Sequence, residues 1–140
     1  MPATFSKFGI HFQYPENWVL ETEGVATGCR GASVYSPGGG FWTVMVHPRH
    51  EDPNELAGAA LAAMKREYDE LDSEPASEKV GSYDLIGYDL NFYCLDLTNT
   101  AYIRGCRTAT ATLLVISQAE DREFDELADV FRAITASLLR

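Results

Sequence analysis

The sequence predicts an α+β fold in which a largely antiparallel sheet is covered by two helices, as a three-layer α/β/α sandwich. Residues 107–119 alternate Thr with Ala and are then apolar at every position from Leu113 to Ile116. That pattern is typical of a central strand covered on both faces. Two other segments have apolar residues at helical spacing. The remaining links between predicted strands are short, which favours antiparallel pairing.

Length and composition limit the functions that the chain can have. Its 140 residues are the usual size of one domain, so we expect residues 1–140 to form a single unit. Its 21 acidic and 11 basic residues give a formal net charge of −10, which argues against nucleic acid or an anionic membrane as a partner. An apolar N-terminal run typical of a signal peptide is absent, as is any apolar stretch of about 20 residues, so we expect a cytoplasmic protein.

The negative charge is concentrated in two segments. Residues 51–84 hold ten acidic and three basic residues, and residues 120–140 hold six and three. We interpret both segments as mostly helical, so we expect charged outer helices over a neutral sheet.

The first half of the chain shows four strand patterns. Residues 8–14 alternate apolar and polar, and Tyr14-Pro-Glu-Asn17 has the composition of a tight turn. Residues 18–23 then return as the second strand of a hairpin, and a loop follows over residues 24–31. Residues 32–36 and 41–46 are the next two strands; the latter is apolar at five of six positions, which predicts cover on both faces.

Each helix has a recognisable start. Asp52 can cap the first, since Pro53 and Glu55 follow at suitable positions, and the helical stripe extends to Leu71 before Asp72–Ala76 closes it. Asp121 can cap the last helix. Its predicted buried stripe consists of Phe124, Leu127, Ala128, Phe131, Ile134 and Leu138.

Between the helices the sequence predicts a long hairpin. Residues 79–82 are a short strand or a loop, and residues 83–97 form a long strand. Thr98–Thr100 is the predicted turn, and residues 101–119 return as the central strand.

The opening Gly9-Ile-His-Phe-Gln-Tyr-Pro-Glu-Asn-Trp18 resembles the "gi-x-f-x-yP-x-x-W" motif of the PsbP-like superfamily, shared with Mog-type Ran-binding and DcrB-like proteins. The order of elements and the last helix, ending Ile134-Thr-Ala-Ser-Leu138, fit the same family. The resemblance covers nearly the whole chain. It implies an antiparallel sheet between helices and a role in binding or assembly rather than in catalysis.

Motifs for metal or phosphate chemistry are weak. His47 and His50 lie three residues apart and would need Glu51 or Asp52 as a further ligand, so we expect incidental histidines and no metal or cofactor. Pro37–Gly40 would cradle a phosphate only if a helix followed. A strand pattern follows, which favours a flexible hairpin loop.

The three cysteines favour free thiols in a reducing compartment. A strand register summing to 200 would place Cys94 opposite Cys106 and allow a disulfide. Cys106 is also a candidate reactive thiol because Arg104 shares its strand face and a nearby guanidinium lowers a thiol pKa. A buried, inert Cys106 is the alternative that we favour.

Aromatic residues supply the remaining candidates for a site. Trp, Tyr and Arg concentrate binding energy at interfaces, whereas the alternative is that they pack under the helices. The predicted binding residues are Phe41, Trp42, Tyr93, Tyr102 and Arg104.

We therefore expect a non-catalytic binding or assembly module that engages a protein through a sheet face or its hairpin loops. A first alternative is a small-molecule binder whose pocket lies between helix and sheet, lined by Met64 and Tyr68. A second is a thiol-dependent enzyme that uses Cys106. Self-association into a homodimer through an exposed edge strand is a further expectation.

Overall fold

The structure, a computed structural model, describes residues 2–22 and 30–140. These residues form nine strands and two helices, in the order β1 (Pro2–Lys7), β2 (Ile10–Pro15), β3 (Val19–Glu21), β4 (Arg30–Tyr35), β5 (Phe41–His47), α1 (Pro53–Glu67), β6 (Leu71–Val80), β7 (Tyr83–Cys94), β8 (Leu97–Arg107), β9 (Thr112–Glu120) and α2 (Asp121–Leu138). Seven strands pair antiparallel in the order β3-β4-β5-β9-β8-β7-β6, and β1 and β2 form a separate two-stranded sheet. The predicted α+β class with an antiparallel sheet is confirmed.

The seven-stranded sheet is covered on both faces. Helix α1 packs against β7, β8 and β9 on one face, which we call the α1 face. Helix α2 packs against β8 and β9 on the opposite α2 face and also contacts β2. The three layers are as predicted, except that the β1–β2 hairpin shares the outer layer with α2.

The apolar stretch in β9 has its predicted position. Strand β9 is the middle strand of the seven. Leu113 and Val115 enter the core on the α2 face, whereas Leu114 and Ile116 pack with the α1-face residues. The four consecutive apolar residues are therefore explained by cover on both sides of the sheet.

The predicted hairpin at the start of the chain is wrong. Strand β2 pairs with β1, a strand that the sequence pattern did not predict, and β3 pairs with β4 in the large sheet. Trp18 begins the crossing between the two sheets, and its ring meets Phe131 of α2 edge-on at 5.9 Å between centroids. Burial of that ring in the core explains a strong apolar signal next to a strand of only three residues. The end of the predicted second strand and most of the predicted loop lie outside the described residues.

The segment after α1 is a strand rather than a helix end. Helix α1 ends at Glu67, and β6 pairs with β7 along all ten of its residues. Strand β6 is an edge strand of the sheet. Pro75 lacks a backbone N–H, and an edge strand tolerates this because one of its sides has no neighbouring strand to bond. Asp72, Glu74 and Glu78 therefore charge a sheet edge, which corrects the prediction that acidic residues sit on helices over a neutral sheet.

The long hairpin differs from its prediction in two turns. Its first turn is Leu95–Asp96, because β7 and β8 pair Cys94 with Leu97. The predicted return strand is two strands, β8 and β9, joined by a turn in which the Thr108 N–H donates to the Ala111 carbonyl at 2.8 Å.

The helix starts are confirmed to within one residue. The Asp52 carboxylate accepts from the Asn54 N–H at 2.9 Å and caps α1 as predicted. Glu120, rather than Asp121, caps α2, since its carboxylate accepts from the N–H groups of Arg122 and Glu123 at 3.0 and 3.3 Å. Neither helix has the length and apolar character needed to cross a membrane, a finding that covers residues 2–22 and 30–140.

Candidate functional site

Trp42 is a core residue. Its side chain is fully buried on the α2 face, and the Phe12 ring lies 4.8 Å from it. The indole Nε1–H donates to the Thr135 hydroxyl at 2.9 Å, so its polar group is also satisfied inside the protein. Trp42 is therefore not exposed in the folded protein, and its role in binding stays a prediction.

Arg104 is also buried, at 7% exposure, and its guanidinium is almost fully used within the protein. Nε donates to Glu78 at 2.7 Å and Nη2 to Asp89 at 2.7 Å. Nη1 donates to the backbone carbonyls of Tyr88 and Ile103 at 3.2 and 3.1 Å. Arg104 thus ties β8 to β7 and to edge strand β6, and it has little hydrogen-bonding capacity left for a ligand.

Glycine makes this arrangement of Arg104 possible. Gly87 is the β7 residue directly opposite Arg104, so no side chain occupies that position on the α2 face. A Cβ at Gly87 would overlap the carbonyl oxygen of Ile103. The guanidinium can therefore lie across β7 to reach Glu78.

Tyr102 lies beneath α2, where its ring contacts two neighbouring side chains. The Arg104 guanidinium carbon lies 4.5 Å from the ring centroid, and the Phe124 ring meets it edge-on at 4.8 Å. Burial raises the pKa of Tyr102, with a further contribution from Asp89, while Arg104 opposes the rise. Tyr102 and Arg104 line a cavity of about 190 Å³ between α2 and the sheet.

A pocket between helix and sheet was predicted on the other helix. The residues predicted to line it, Met64 and Tyr68, instead pack in the α1-face core, where the Tyr68 ring lies 4.4 Å from that of Phe92. The helix–sheet cavity lined by Tyr102 and Arg104 is on the α2 face.

The thiol of Cys106 is poorly suited to catalysis. Cys106 is 4% exposed, and burial alone raises its pKa from 9.0 to about 11. The thiol therefore stays protonated at neutral pH, whereas a nucleophilic cysteine needs the thiolate. Cys94 faces the α1 side and pairs with Leu97, so the predicted register that would join the two cysteines does not occur and both are free. Cys29 lies outside the described residues.

The glycine loop between β4 and β5 is held against α2. The Ser36 hydroxyl donates to the Glu123 carboxylate at 2.9 Å and accepts from the Gly40 N–H at 3.0 Å. The carboxylate lies against Gly38, where a Cβ would overlap it. This loop is tied down rather than flexible, and the carboxylate disfavours a phosphate at the glycines.

The histidine pair does not assemble a metal site in the described part of the chain. His47 Nδ1 lies 3.1 Å from the Glu51 carboxylate, and residues 2–22 and 30–140 contain no group of three possible ligands.

The most exposed apolar side chains gather at one end of the sheet. Among the described residues, four large hydrophobic side chains are exposed, and three of them lie in or directly beside the turn between β7 and β8. Leu95 is 91% exposed, Tyr93 56% and Leu97 53%. We call residues 93–97 the tip. Tyr93 was predicted as a binding residue, but Leu95 and Leu97 were missed because the predicted turn lay three residues further on.

The turn of the tip places Leu95 in a backbone conformation that leucine rarely adopts. Leu95 and Asp96 have φ angles of 53° and 63°, in the left-handed region that two-residue hairpin turns require. Asn, Asp and Gly favour this region, whereas Leu does not. Phe8 has a similar φ of 57° in the β1–β2 turn, but its ring packs 6.3 Å from that of Phe5. Leu95 is nearly fully exposed, so little packing offsets its strain.

Phe41, the remaining predicted residue, is half-buried on the α1 face. Its ring lies 5.8 Å from that of Tyr35, on the β3–β4–β5 side of the sheet, away from the strands that α1 contacts. The five predicted residues therefore form no single site. Tyr93 alone is mostly exposed; whether it or Phe41 binds a partner stays a prediction.

Known proteins resemble this chain in fold alone. The chain matches no family model and no curated protein. Cyanobacterial PsbP (CyanoP) from Synechocystis is similar in structure, with a TM-score of 0.62 and 13% identity over 97% of this chain and 90% of that one. LpqN of Mycobacterium tuberculosis, involved in cell envelope biogenesis, has a TM-score of 0.53 and 13% identity over 96% and 86%.

A Bacteroides thetaiotaomicron protein has a TM-score of 0.58 and 14% identity over 91% of this chain. This chain spans 43% of that protein, less than half its length. The strand order, the two covering helices and these likenesses agree with the fold that the sequence resemblance implied. The chain has a PsbP-like fold.

Proposed function

We propose that the protein is a non-catalytic binding module that engages another protein through the tip, residues 93–97. The observation that supports this most is Leu95, which is 91% exposed while its backbone adopts a left-handed conformation. The conformation costs stability and the exposed side chain contributes almost none, and a binding role gives a reason for both.

The free energies involved favour a role in association. A left-handed conformation costs an L-residue other than glycine about 1–2 kcal/mol. Burial of a Leu side chain in a partner would contribute about 1.5–3 kcal/mol. Tyr93 and Leu97 flank Leu95 on opposite faces of the hairpin, so a pocket that received the tip would bury all three.

Charge indicates what kind of partner fits. Asp96 is part of the tip, and the nearby end of β9 and start of α2 add Glu120 and Asp121. An apolar pocket with a basic rim on another protein would complement this surface. The chain's net charge of −10 disfavours the alternative that the tip inserts into an anionic membrane.

The proposal that the module is non-catalytic rests on its cysteine and arginine. Cys106 is a buried, protonated thiol, and Arg104 is engaged by Glu78 and Asp89. Neither is free to take part in chemistry at the surface.

The substitution Leu95→Asn tests the proposal because it moves two measurements in opposite directions. Asn is favoured at this turn position, so the free energy of unfolding should rise by about 1 kcal/mol. Binding should weaken because the apolar anchor is lost. Val19, the exposed large apolar residue outside the tip among those described, lies on edge strand β3 and provides the control Val19→Ser.

A photo-crosslinking amino acid placed at position 95 or position 19 measures the binding. In native extract, position 95 should give a discrete crosslinked protein, and position 19 should not. Excess unlabelled wild-type chain and the Val19→Ser variant should both suppress that product, whereas Leu95→Asn should not. Equal crosslinking at both positions, or equal suppression by all three competitors, would contradict the proposal. Crosslinking to lipid alone would replace the protein partner with a membrane.

A further inference from the structure

A cavity separate from the tip lies at the opposite end of the sheet. Its volume is about 640 Å³, within the range of roughly 300–1,000 Å³ typical of small-molecule sites. Its walls are the β1–β2 hairpin, the turn between β8 and β9, and the C-terminal end of α2.

The lining of this cavity carries basic side chains and no acidic ones. The protein has 21 acidic residues against 11 basic ones, yet none of the 15 residues that line the cavity is Asp or Glu. Lys7, His11 and Arg140 all line it. Neither Lys7 nor Arg140 takes part in the ion pairs found among the described residues. The cavity therefore offers an anion two cationic side chains, Lys7 and Arg140, and its lining contains no carboxylate side chain.

Hydrogen bonds hold the walls in place. The Gln13 N–H donates to the Ser137 hydroxyl at 2.8 Å, which joins β2 to α2. The Thr108 hydroxyl accepts from the Ala111 N–H at 3.2 Å, and Arg49 Nε donates to the Thr108 carbonyl at 2.9 Å. The cavity thus exists before any ligand arrives, so little free energy is needed to order its walls on binding.

Apolar side chains line part of the same cavity. Ile10 comes from β2, Leu113 from β9 and Leu138 from α2. The end of α2 carries a partial negative charge from its free carbonyl groups, which would repel an anion placed beside it. An anionic group is therefore better placed on the hairpin side, next to Lys7, with an apolar group directed toward Leu113 and Leu138.

We propose that this cavity binds a small, soluble amphipathic anion, namely a carboxylate or phosphate monoester with a short apolar chain. The site is independent of the tip, so its failure or success leaves the proposed function untouched.

The full chain can be titrated with octanoate and octyl phosphate, followed by calorimetry and by amide chemical shifts. Saturable binding should shift residues on all three walls, and octanol and inorganic phosphate should bind much more weakly. Octanol binding as tightly would overturn the anionic part of the proposal, and inorganic phosphate binding as tightly would overturn the apolar part. Preferential binding to vesicles of anionic phospholipid would replace the soluble ligand with a membrane.

Variants test the position of the site. Lys7→Gln should weaken binding about five- to tenfold through loss of one close charge. Lys65 is an exposed residue of α1, on the α1 face of the sheet and away from the cavity, so Lys65→Gln should leave affinity unchanged. Thr110→Phe should block the opening while sparing the fold, because Thr110 is an exposed turn residue. Equal effects of the two lysine variants, or full affinity with Thr110→Phe, would overturn the assignment.

Discussion

Replacement of Arg104 by Met tests whether this predicted binding residue is in fact a structural one. Methionine keeps much of the apolar stem and removes the guanidinium. The change removes four donated hydrogen bonds, to Glu78, Asp89 and two backbone carbonyls. It also removes the contact with the Tyr102 ring.

The expected loss follows from the burial of each partner. Removing one member of a buried ion pair typically costs about 3–5 kcal/mol, because the other charge stays buried without a partner. In this protein the Glu78 and Asp89 side chains are 28% and 31% exposed, so water can solvate them after the change. We therefore expect Arg104→Met to lower the free energy of unfolding by about 2–3 kcal/mol.

Urea unfolding at neutral pH and constant ionic strength measures the loss. Arg132→Met is the matched control, because Arg132 is 73% exposed and lies 3.6 Å from the same Glu78 carboxylate; it should cost less than about 0.5 kcal/mol. Adding Glu78→Gln and Asp89→Asn to Arg104→Met should recover part of the stability, since no carboxylate is then left unpaired. An Arg104→Met loss under about 1 kcal/mol, or one equal to that of Arg132→Met, would refute the reasoning.

Two further predictions concern stability. Gly87→Ala should destabilise the protein by several kcal/mol, because its Cβ would overlap the Ile103 carbonyl. Gly58→Ala, in α1 with open space around it, should instead stabilise the protein by about 1 kcal/mol. Thermal unfolding of both variants checks this, and a change in stability of the same sign in both would contradict it. The raised pKa of Cys106 favours the folded state below pH 9, and this contribution should be lost as the pH rises through about 11. With a pKa of 9.0 in the unfolded chain and about 11 in the folded one, wild type should lose about 2 kcal/mol more stability than Cys106→Ala between about pH 8 and 11. Urea unfolding at each pH measures this difference. If the free energy of unfolding changed equally with pH in both proteins, burial would not raise the pKa of this thiol.

Sequence patterns predicted the elements whose burial is uniform along their length. Strand β9 and the stripe of α2 each meet apolar neighbours at the expected spacing, so their periodicity survives in the sequence. The cap at Asp52 was predictable for a similar reason, since its bond to Asn54 is local.

Strand β6 could not be predicted in the same way. It has one neighbour, β7, and Pro75 and several acidic residues lie along it, as on many edge strands. In the sequence, proline and acidic residues at these positions are also typical of a helix end followed by a loop. The β8–β9 turn was missed because Thr108–Ala111 contains neither glycine nor proline, and its bonds use threonine and backbone groups instead.

The candidate sites were predictable only in part. Composition identified Tyr93, but exposure of Leu95 depends on the exact turn position, which a pattern of alternating residues cannot fix. The proposed anion cavity brings Lys7 together with Thr110 and Leu138, both more than 100 positions later in the chain. Local sequence spacing does not reveal contacts over such a separation.

The contact between β2 and α2 has a consequence for biosynthesis. Gln13 and Ser137 are 124 residues apart and are joined by a backbone-to-hydroxyl bond. Because a ribosome makes β2 before every strand of the large sheet and α2 after them, Phe5 and Phe12 are synthesised well before the helix that packs in the same core. During that interval the nascent hairpin exposes two aromatic rings that chaperones can bind, and the outer layer is completed only after the strands of the large sheet have been made.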